Sequence, residues 1–426
     1  MNLRDYILGP LLSVMAVALT NAANAQNGPD RTVSTPIGAS VQFGNVEQNV
    51  ARLDATREGG FRTRFGIGPI QKLLHPLNTT RARWEDQHGL SFALQYSPIL
   101  HQSSRGGENG RTLNDAIDVF LRWDGAVDTG AYKGSLDVFA YRRRDDFLST
   151  NTARFNAARG NLQGPSDANV EGSFTSVSQL SWESLFFDGA LDITVGQLFI
   201  PALVDENDTL GNDRLSFMAE PLSNNPAHVL PEGDAGLGVG IWVTPSDQFY
   251  IGAVVSQANA NGEYPDFGAF DGDWLTVAEL GWTPDFPTLG RGHYRLTYTH
   301  IDLPGPGPSS SESWSFSAEQ AMGEGKTLAL RAGTNDGNRN DIRRLVSGGL
   351  VFDDVFGYET DAIGIGAFWA EPDDSNMRDE YGAELFWRIQ LTNSTQFTPD
   401  IQLWRPSDQS NDGIEAIVSF RLTISI

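Results

Sequence analysis

From Gly89 to the last residue the chain repeats one theme: about ten residues alternate apolar with polar or small side chains, then a Gly, Pro, Asn or Asp turn follows. A period of two gives a β-strand one greasy face and one wet face, and it fits no helix. The clearest case closes the chain. Ile414, Ala416, Val418, Phe420, Leu422, Ile424 and Ile426 alternate with Glu415, Ile417, Ser419, Arg421, Thr423 and Ser425. Tyr381, Ala383, Leu385, Trp387 and Ile389 do the same against Gly382, Glu384, Phe386, Arg388 and Gln390. Sixteen such segments can be marked, near 90–100, 115–124, 134–143, 176–186, 190–199, 236–244, 248–257, 273–282, 293–301, 312–321, 326–334, 343–352, 361–370, 380–391, 396–404 and 414–426. An even number suits antiparallel closure with both chain ends on the periplasmic side of a membrane. The pattern therefore predicts an all-β chain: a transmembrane antiparallel β-barrel of about 16 strands, preceded by a short N-terminal helical and irregular segment.

The connections support a barrel over a soluble sandwich or solenoid. Short ones (Pro245-Ser246-Asp247, Gly323-Glu324-Gly325) alternate with longer polar ones (Pro304 to Ser311, Thr334 to Ile342), as periplasmic turns alternate with outside loops. Trp182, Trp274, Trp282, Trp314, Trp369 and Trp387 stand on strand faces, several near strand ends, where an aromatic girdle meets the membrane interface.

The first residues read as an export leader. An apolar run from Ile7 to Leu19 is followed by Ala23-Asn24-Ala25 before Gln26, an A-x-A cleavage pattern. The expected division is a signal peptide over 1–25, a periplasmic arm over 26–88 and the barrel over 89–426. Within the arm, Asn78 to His88 is predicted to form a short helix, with Asn78 or Thr79 as its N-cap and Gly89 as its stop. After the leader no run of about 20 apolar residues occurs, so membrane crossing has to be by strands. With no cysteine, disulfide scaffolding and thiol chemistry are excluded. A net charge of −24 makes a poor nucleic-acid binder, since phosphate contacts need Lys and Arg. Mean hydropathy of −0.29 suits a barrel with a wet lumen, where every second strand residue meets lipid.

Catalytic and metal patterns fail one by one. Gly325-Lys326-Thr327 ends like a phosphate loop, but Gln320 stands where its upstream glycine belongs. No G-x-S-x-G or H-E-x-x-H occurs and the six histidines are scattered. Asp205-Glu206-Asn207-Asp208 opens like a calcium loop, yet Leu210 occupies the glycine position. No catalytic residue, metal or cofactor is expected.

If apolar faces meet lipid, the opposite faces line the lumen. That places Arg122, Asp137, Arg143, Glu183, Asp192, Glu279, Arg295, Arg331, Glu384, Arg388 and Arg421 as candidate pore-lining, solute-contacting groups. Phe120, Phe139, Tyr141 and Phe386 share those faces and are candidates for stacking on sugar rings. The connection from Pro201 to Ala235 is too long for a hairpin turn, and long ordered loops usually carry function. With Asp205, Glu206, Asp208, Asp213 and Arg214, it is the candidate constriction loop, expected to fold into the lumen.

Several stretches resemble the carbohydrate-selective porins of the OprB family. They are Arg81-Ala82-Arg83-Trp84-Glu85-Asp86-Gln87-His88-Gly89-Leu90-Ser91-Phe92, Val195-Gly196-Gln197-Leu198-Phe199, Asn225-Pro226 with Leu230-Pro231 running into Gly236-Leu237-Gly238-Val239 and Pro245-Ser246, and Thr398-Pro399-Asp400-Ile401-Gln402. The resemblance implies a sixteen-stranded outer-membrane barrel through which sugars diffuse inward. Two departures stand out: Ile426 replaces the aromatic residue common at the end of such barrels, and Glu58-Gly59-Gly60-Phe61-Arg62-Thr63-Arg64 keeps the N-terminal pattern in part. The resemblance carries over no individual sugar-binding residue.

Three functions follow for comparison: a sugar-uptake porin in the outer membrane of a Gram-negative-type bacterium, a general or cation-leaning porin favoured by the acidic balance, and a β-rich hydrolase using paired carboxylates such as Glu183 and Glu384. The expected partners are small hydrophilic solutes and outer-membrane lipid, with no nucleic acid, in a homotrimer or a monomer.

Overall fold

The computed structural model describes residues 63–65, 79–81, 83–105, 107–166, 172–358, 360–410 and 413–426. The leader expected over 1–25, with its cleavage site, and most of the arm expected over 26–88 lie outside these residues.

Each of the sixteen alternating segments is a strand. In chain order they are β1 (Leu90–Ser103), β2 (Arg111–Asp128), β3 (Tyr132–Arg144), β4 (Ser173–Phe186), β5 (Leu191–Phe199), β6 (Ala235–Ser246), β7 (Phe249–Gln257), β8 (Trp274–Trp282), β9 (Gly290–Asp302), β10 (Ser310–Ala321), β11 (Lys326–Asn335), β12 (Ile342–Asp353), β13 (Ala362–Pro372), β14 (Glu380–Thr392), β15 (Thr395–Arg405) and β16 (Glu415–Ser425). Every strand pairs antiparallel with its chain neighbours, and β1 also pairs with β16, with Leu100 opposite Phe420. The sheet closes on itself and keeps no open edge. At the seam the backbone of Ile426 donates to Leu94 (2.8 Å) and accepts from it (2.9 Å), so the aliphatic last residue completes the ladder.

The two rims differ. Tight connections such as 129–131, 187–190, 247–248 and 393–394 gather at one end, with residue 89 and residue 426. Longer ones, 145–172, 200–234 and 258–273 above all, gather at the other. The alternation sets the faces. Outward groups such as Leu280 (54% exposed) and Ile365 (55%) form the apolar belt, while inward Thr297, Ser315 and Ser347 are buried. Near the short-turn rim Trp282 packs against Phe249, Phe286 and Tyr294. Towards the other rim Trp314 packs on Tyr298. Aromatic clusters thus stand near both rims, the positions expected of interfacial girdles.

Residues 79–81 and 83–88 are helical, and the helix ends where the N–H of Gly89 reaches the carbonyl of Glu85 at 2.9 Å. Gly89 sits at φ +64°, and a Cβ there would come within 2.5 Å of the Asp124 carbonyl oxygen, so glycine is required. The helix lies at the short-turn rim, with Trp84 against Phe92 of β1. Among the described residues no helix is long and apolar enough to cross a membrane.

Two long loops occupy the interior. Phe155, Leu210, Phe217 and Leu222 from the loops pack against Phe368, Phe386 and Trp404 of the wall. Leu203, Val204 and Val229 pack against Trp242, Tyr250 and Leu275.

Candidate permeation pathway

The chain between β5 and β6 turns inward and lies along the wall from β8 to β16. Its regular structure is one turn of α-helix, α2 (Glu220–Ser223), and two 3-10 turns (Ile200–Ala202 and Glu232–Asp234), so most of its backbone N–H and C=O groups lack helical partners and need others. The wall supplies them. Glu279 accepts from the N–H of Asp205 at 2.7 Å, and Glu319 accepts from Asp208 at 2.8 Å and Thr209 at 2.6 Å. Glu384 accepts from Met218 at 2.6 Å and Ala219 at 2.8 Å. Arginines take the carbonyls: Arg331 those of Asp205 and Leu210, Arg388 that of Leu215 at 2.7 Å, and Arg421 those of Asp213 and Ser216. Arg295 pairs with the Glu206 carboxylate at 2.9 Å and also bonds its carbonyl.

Phe217 is the apolar anchor. It meets Phe386 edge-on with ring centres 5.0 Å apart. A Cβ on Gly349 would lie 2.5 Å from its ring and one on Gly366 2.9 Å, so the bare backbone of β12 and β13 forms its socket.

His228 is buried beside α2, with Nε2 2.6 Å from the Thr299 hydroxyl and Nδ1 3.7 Å from Asp205. Burial, helped by the Arg331 charge, holds its pKa below the usual imidazole value, against an opposing pull from Asp205.

A second loop, between β3 and β4, was not singled out from the sequence. It carries α1 (Thr152–Arg159) and also turns inward. Glu380 accepts from the N–H groups of Leu162 (3.0 Å) and Gln163 (3.2 Å), and Gln402 donates to Pro165 at 2.9 Å. The two loops meet: Gly164 donates to the Glu220 carboxylate at 2.7 Å, and the N–H of Glu220 returns to the Gly164 carbonyl at 3.1 Å. Its length alone, well past a hairpin, was the available signal.

Between the β5–β6 loop and the wall of β1 to β5 lies a cavity of about 460 Å³, within the range of small-molecule sites (about 300–1,000 Å³). One side is aromatic: Phe174, Tyr141, Phe139, Phe120 and Phe199, linked by ring spacings of 5.9, 5.5, 4.8 and 5.5 Å. The other carries Asn212, Asp213, Arg214, Glu220, Ser223 and Asn224 from the internal loop. Asp118 stands at the junction, 2.7 Å from Arg143 on the wall and 3.2 Å from Arg214 on the loop. Arg214 also pairs with Asp213. The Arg143 guanidinium lies 4.4 Å over the Tyr141 ring.

The candidates read from alternation thus separate into three groups. Glu279, Arg295, Arg331, Glu384, Arg388 and Arg421 face inward but hold the loop. Arg122, Asp137, Glu183 and Asp192 form a wall cluster at β2 to β5, where Arg122 reaches Asp137 at 3.0 Å and Glu183 at 2.6 Å, and Thr194 donates to Asp192 at 3.3 Å. Arg143 lines the cavity, joined there by Asp213 and Arg214 from the loop. The aromatic reading needs correction. Phe386 lies under Phe217 with 1% exposure and meets no solute, while Phe120 and Phe139, 5% and 6% exposed, stack on each other. The partly open rings are Tyr141, Phe174 and Phe199; Phe174 and Phe199 were missed, although both end strands that border the long loops. The carboxylates weighed as a hydrolytic pair, Glu183 and Glu384, sit on different strands and bind different partners. Among the described residues no group of three or more His, Asp or Glu could hold a metal ion.

Comparison with known proteins supports the family resemblance. Residues 299–426 match the model of the carbohydrate-selective porin, OprB family. The high-pH structure of Pseudomonas putida OprB has 17% sequence identity and a TM-score of 0.69, over 82% of this chain and 97% of that one. The low-pH structure of the same protein gives 16% and 0.54, over 86% and 100%. At these identities the likeness concerns the fold. No curated protein matches the chain.

Proposed function

We propose that this chain, whose C-terminal strands match the OprB family of carbohydrate-selective porins, is an outer-membrane porin for sugar uptake. The observation that carries the reading is the cavity between the β5–β6 loop and β1 to β5, aromatic on one side and lined by hydrogen-bonding groups on the other. A pyranose presents C–H groups on its faces and hydroxyls around its rim. Tyr141, Phe174 and Phe199 suit the faces, and Asp118, Arg143, Asn212, Asp213 and Arg214 suit the hydroxyls. The loop over 201–235 is the constriction: its ties to the wall fix a narrow passage without closing it. The long-loop rim faces outward and the short-turn rim faces the periplasm. Movement is passive, down a gradient, and the protein supplies shape and hydrogen bonds in place of the solute's lost hydration.

Liposome swelling tests this directly. Vesicles carrying the refolded barrel should admit monosaccharides faster than uncharged solutes of equal size that lack a ring. Equal rates for both would overturn the sugar reading and leave a general pore.

One observation favours a cation-leaning pore as the second reading. Among the cavity-lining residues the acids Asp118, Asp213, Glu220 and Asp234 outnumber Arg143 and Arg214. The reversal potential in a KCl gradient separates the two, and Asp118→Asn should move it towards anions by removing the carboxylate that faces Arg143 and Arg214.

A further inference from the structure

Where β5 and β6 hand the chain over to the inward loop, the outer wall loses its upper part. β5 ends at Phe199 and β6 starts at Ala235, and β5 pairs with β4 only from Leu180 to Phe186. The upper stretch of β4 thus has no strand beside it on that side. The connection over 258–273, between β7 and β8, fills this notch. The N–H of Val177 on β4 reaches the carbonyl of Glu263 at 2.8 Å, and the Ser176 hydroxyl donates to the carbonyl of Gly262. Gly262 also seats the connection on the end of the inward loop, so closely that a Cβ there would lie 2.6 Å from the Gly233 carbonyl oxygen.

Polar bonds give the β7–β8 loop its shape. The Gln257 amide donates to the carbonyl of Asp266 at 2.7 Å, and the Asp266 carboxylate accepts from the N–H of Gly268 at 2.7 Å. The Asn259 amide joins Asp271 (2.7 Å) and Asp273 (3.0 Å). These bonds hold the backbone and leave the large rings outside: Tyr264 is 55% exposed, Phe267 77% and Phe270 49%. A tied-down loop that leaves three aromatic side chains uncovered is a contact surface.

Its place on the barrel says what covers it. Leu275 and Val277 face the inner core, so Trp274 faces outward, and Phe270 rests on Trp274 with ring centres 6.0 Å apart. Trp274 stands eight residues above Trp282 at the short-turn rim, and Val177 stands nine above Phe186. On tilted strands both lie about 20 Å above that rim, near the top of an apolar belt about 25 Å tall. The two attachments of the loop therefore share one level. Its rings run along the wall between β4 and β8, where acyl chains give way to headgroups. Among the described residues the sugar-sized cavity takes none of its lining from this loop.

We propose that the β7–β8 loop is a lipid-embedded patch of the outer wall, in which Tyr264, Phe267 and Phe270 enter the headgroup boundary of the outer leaflet and close the notch above β5 and β6. The inference rests on the outer-membrane reading given above. Aromatic rings favour this depth, and Trp274 already stands there.

The chain has no cysteine, so a single introduced thiol carries a nitroxide label at one known place. Phe267→Cys, labelled and refolded into phosphatidylcholine vesicles, is compared with Ile365→Cys on the apolar belt and Asn338→Cys on the exposed β11–β12 loop. Collisions with a water-soluble nickel chelate should be about fivefold rarer at residue 267 than at residue 338, with oxygen collisions raised as at residue 365. Tyr264→Cys, at the other end of the row, should read the same and guards against a local defect at the first position. Nickel access at 264 and 267 equal to that at 338 would overturn the proposal. Dipolar broadening between labels at 267 would also overturn it, by showing a second copy of the chain against the loop. Labelled variants should conduct as the wild type does, so a loop found in water leaves the porin reading standing. A label at 365 that meets nickel freely would remove the outer-membrane reading instead.

Discussion

At the scale of single residues the inner wall works as a set of clamps. Glu384→Ala strips the acceptor from two loop N–H groups, and each buried group left unsatisfied costs about 1–3 kcal/mol. The segment around Met218 should then exchange its amide hydrogens much faster while strand amides stay protected. Phe217→Ala empties the socket formed by Gly349 and Gly366 at about 3–5 kcal/mol and should make single-channel current noisy in the open state. His228 adds a pH dependence. Its folded-state pKa is lowered, so the released loop takes up a proton that the docked loop refuses; docking is fully stable above about pH 6.5 and weakens as pH falls below it. Current fluctuations should rise between pH 7 and pH 5 in the wild type, and His228→Gln should flatten that rise. A pH response unchanged in the variant would assign it to another group.

At the scale of elements, strands and loops were not equally legible. A strand writes its faces into its own sequence: β16 shows Val418 and Phe420 outward and Ser419 and Arg421 inward, as a period of two requires. Sixteen strands and their inner faces could therefore be read without a structure. The uses of the inward charges could not, because their partners are remote in sequence. The N–H of Asp205 meets a glutamate 74 positions away, and that of Met218 one 166 away. Alternation told that Glu279 and Glu384 face inward, and was silent on whether water, sugar or a loop would meet them. Phe386 shows the same limit, since its inward face is legible and its cover, Phe217, is not. Deleting Asp205 to Asp213 removes the part of the loop held by Glu279, Glu319, Arg295 and Arg331. Single-channel conductance should rise at least twofold if that loop sets the narrowest section; an unchanged conductance would contradict the constriction reading.

At the scale of the whole molecule, closure of the sheet and the two inward loops together define the protein. The barrel satisfies its own backbone and needs no disulfide. The loops supply the interior core that a wide barrel otherwise lacks, and on the function proposed above the passage runs on the side of β1 to β5, where aromatic rings face hydrogen-bonding groups. The central claim is that this passage is open and binds sugar weakly as it passes. Single-channel recording of the refolded chain in a planar bilayer, with glucose titrated in, tests it most directly. Stepwise conductance that falls saturably with added glucose is the predicted result; the absence of any conductance steps from protein verified to be a folded barrel would contradict it.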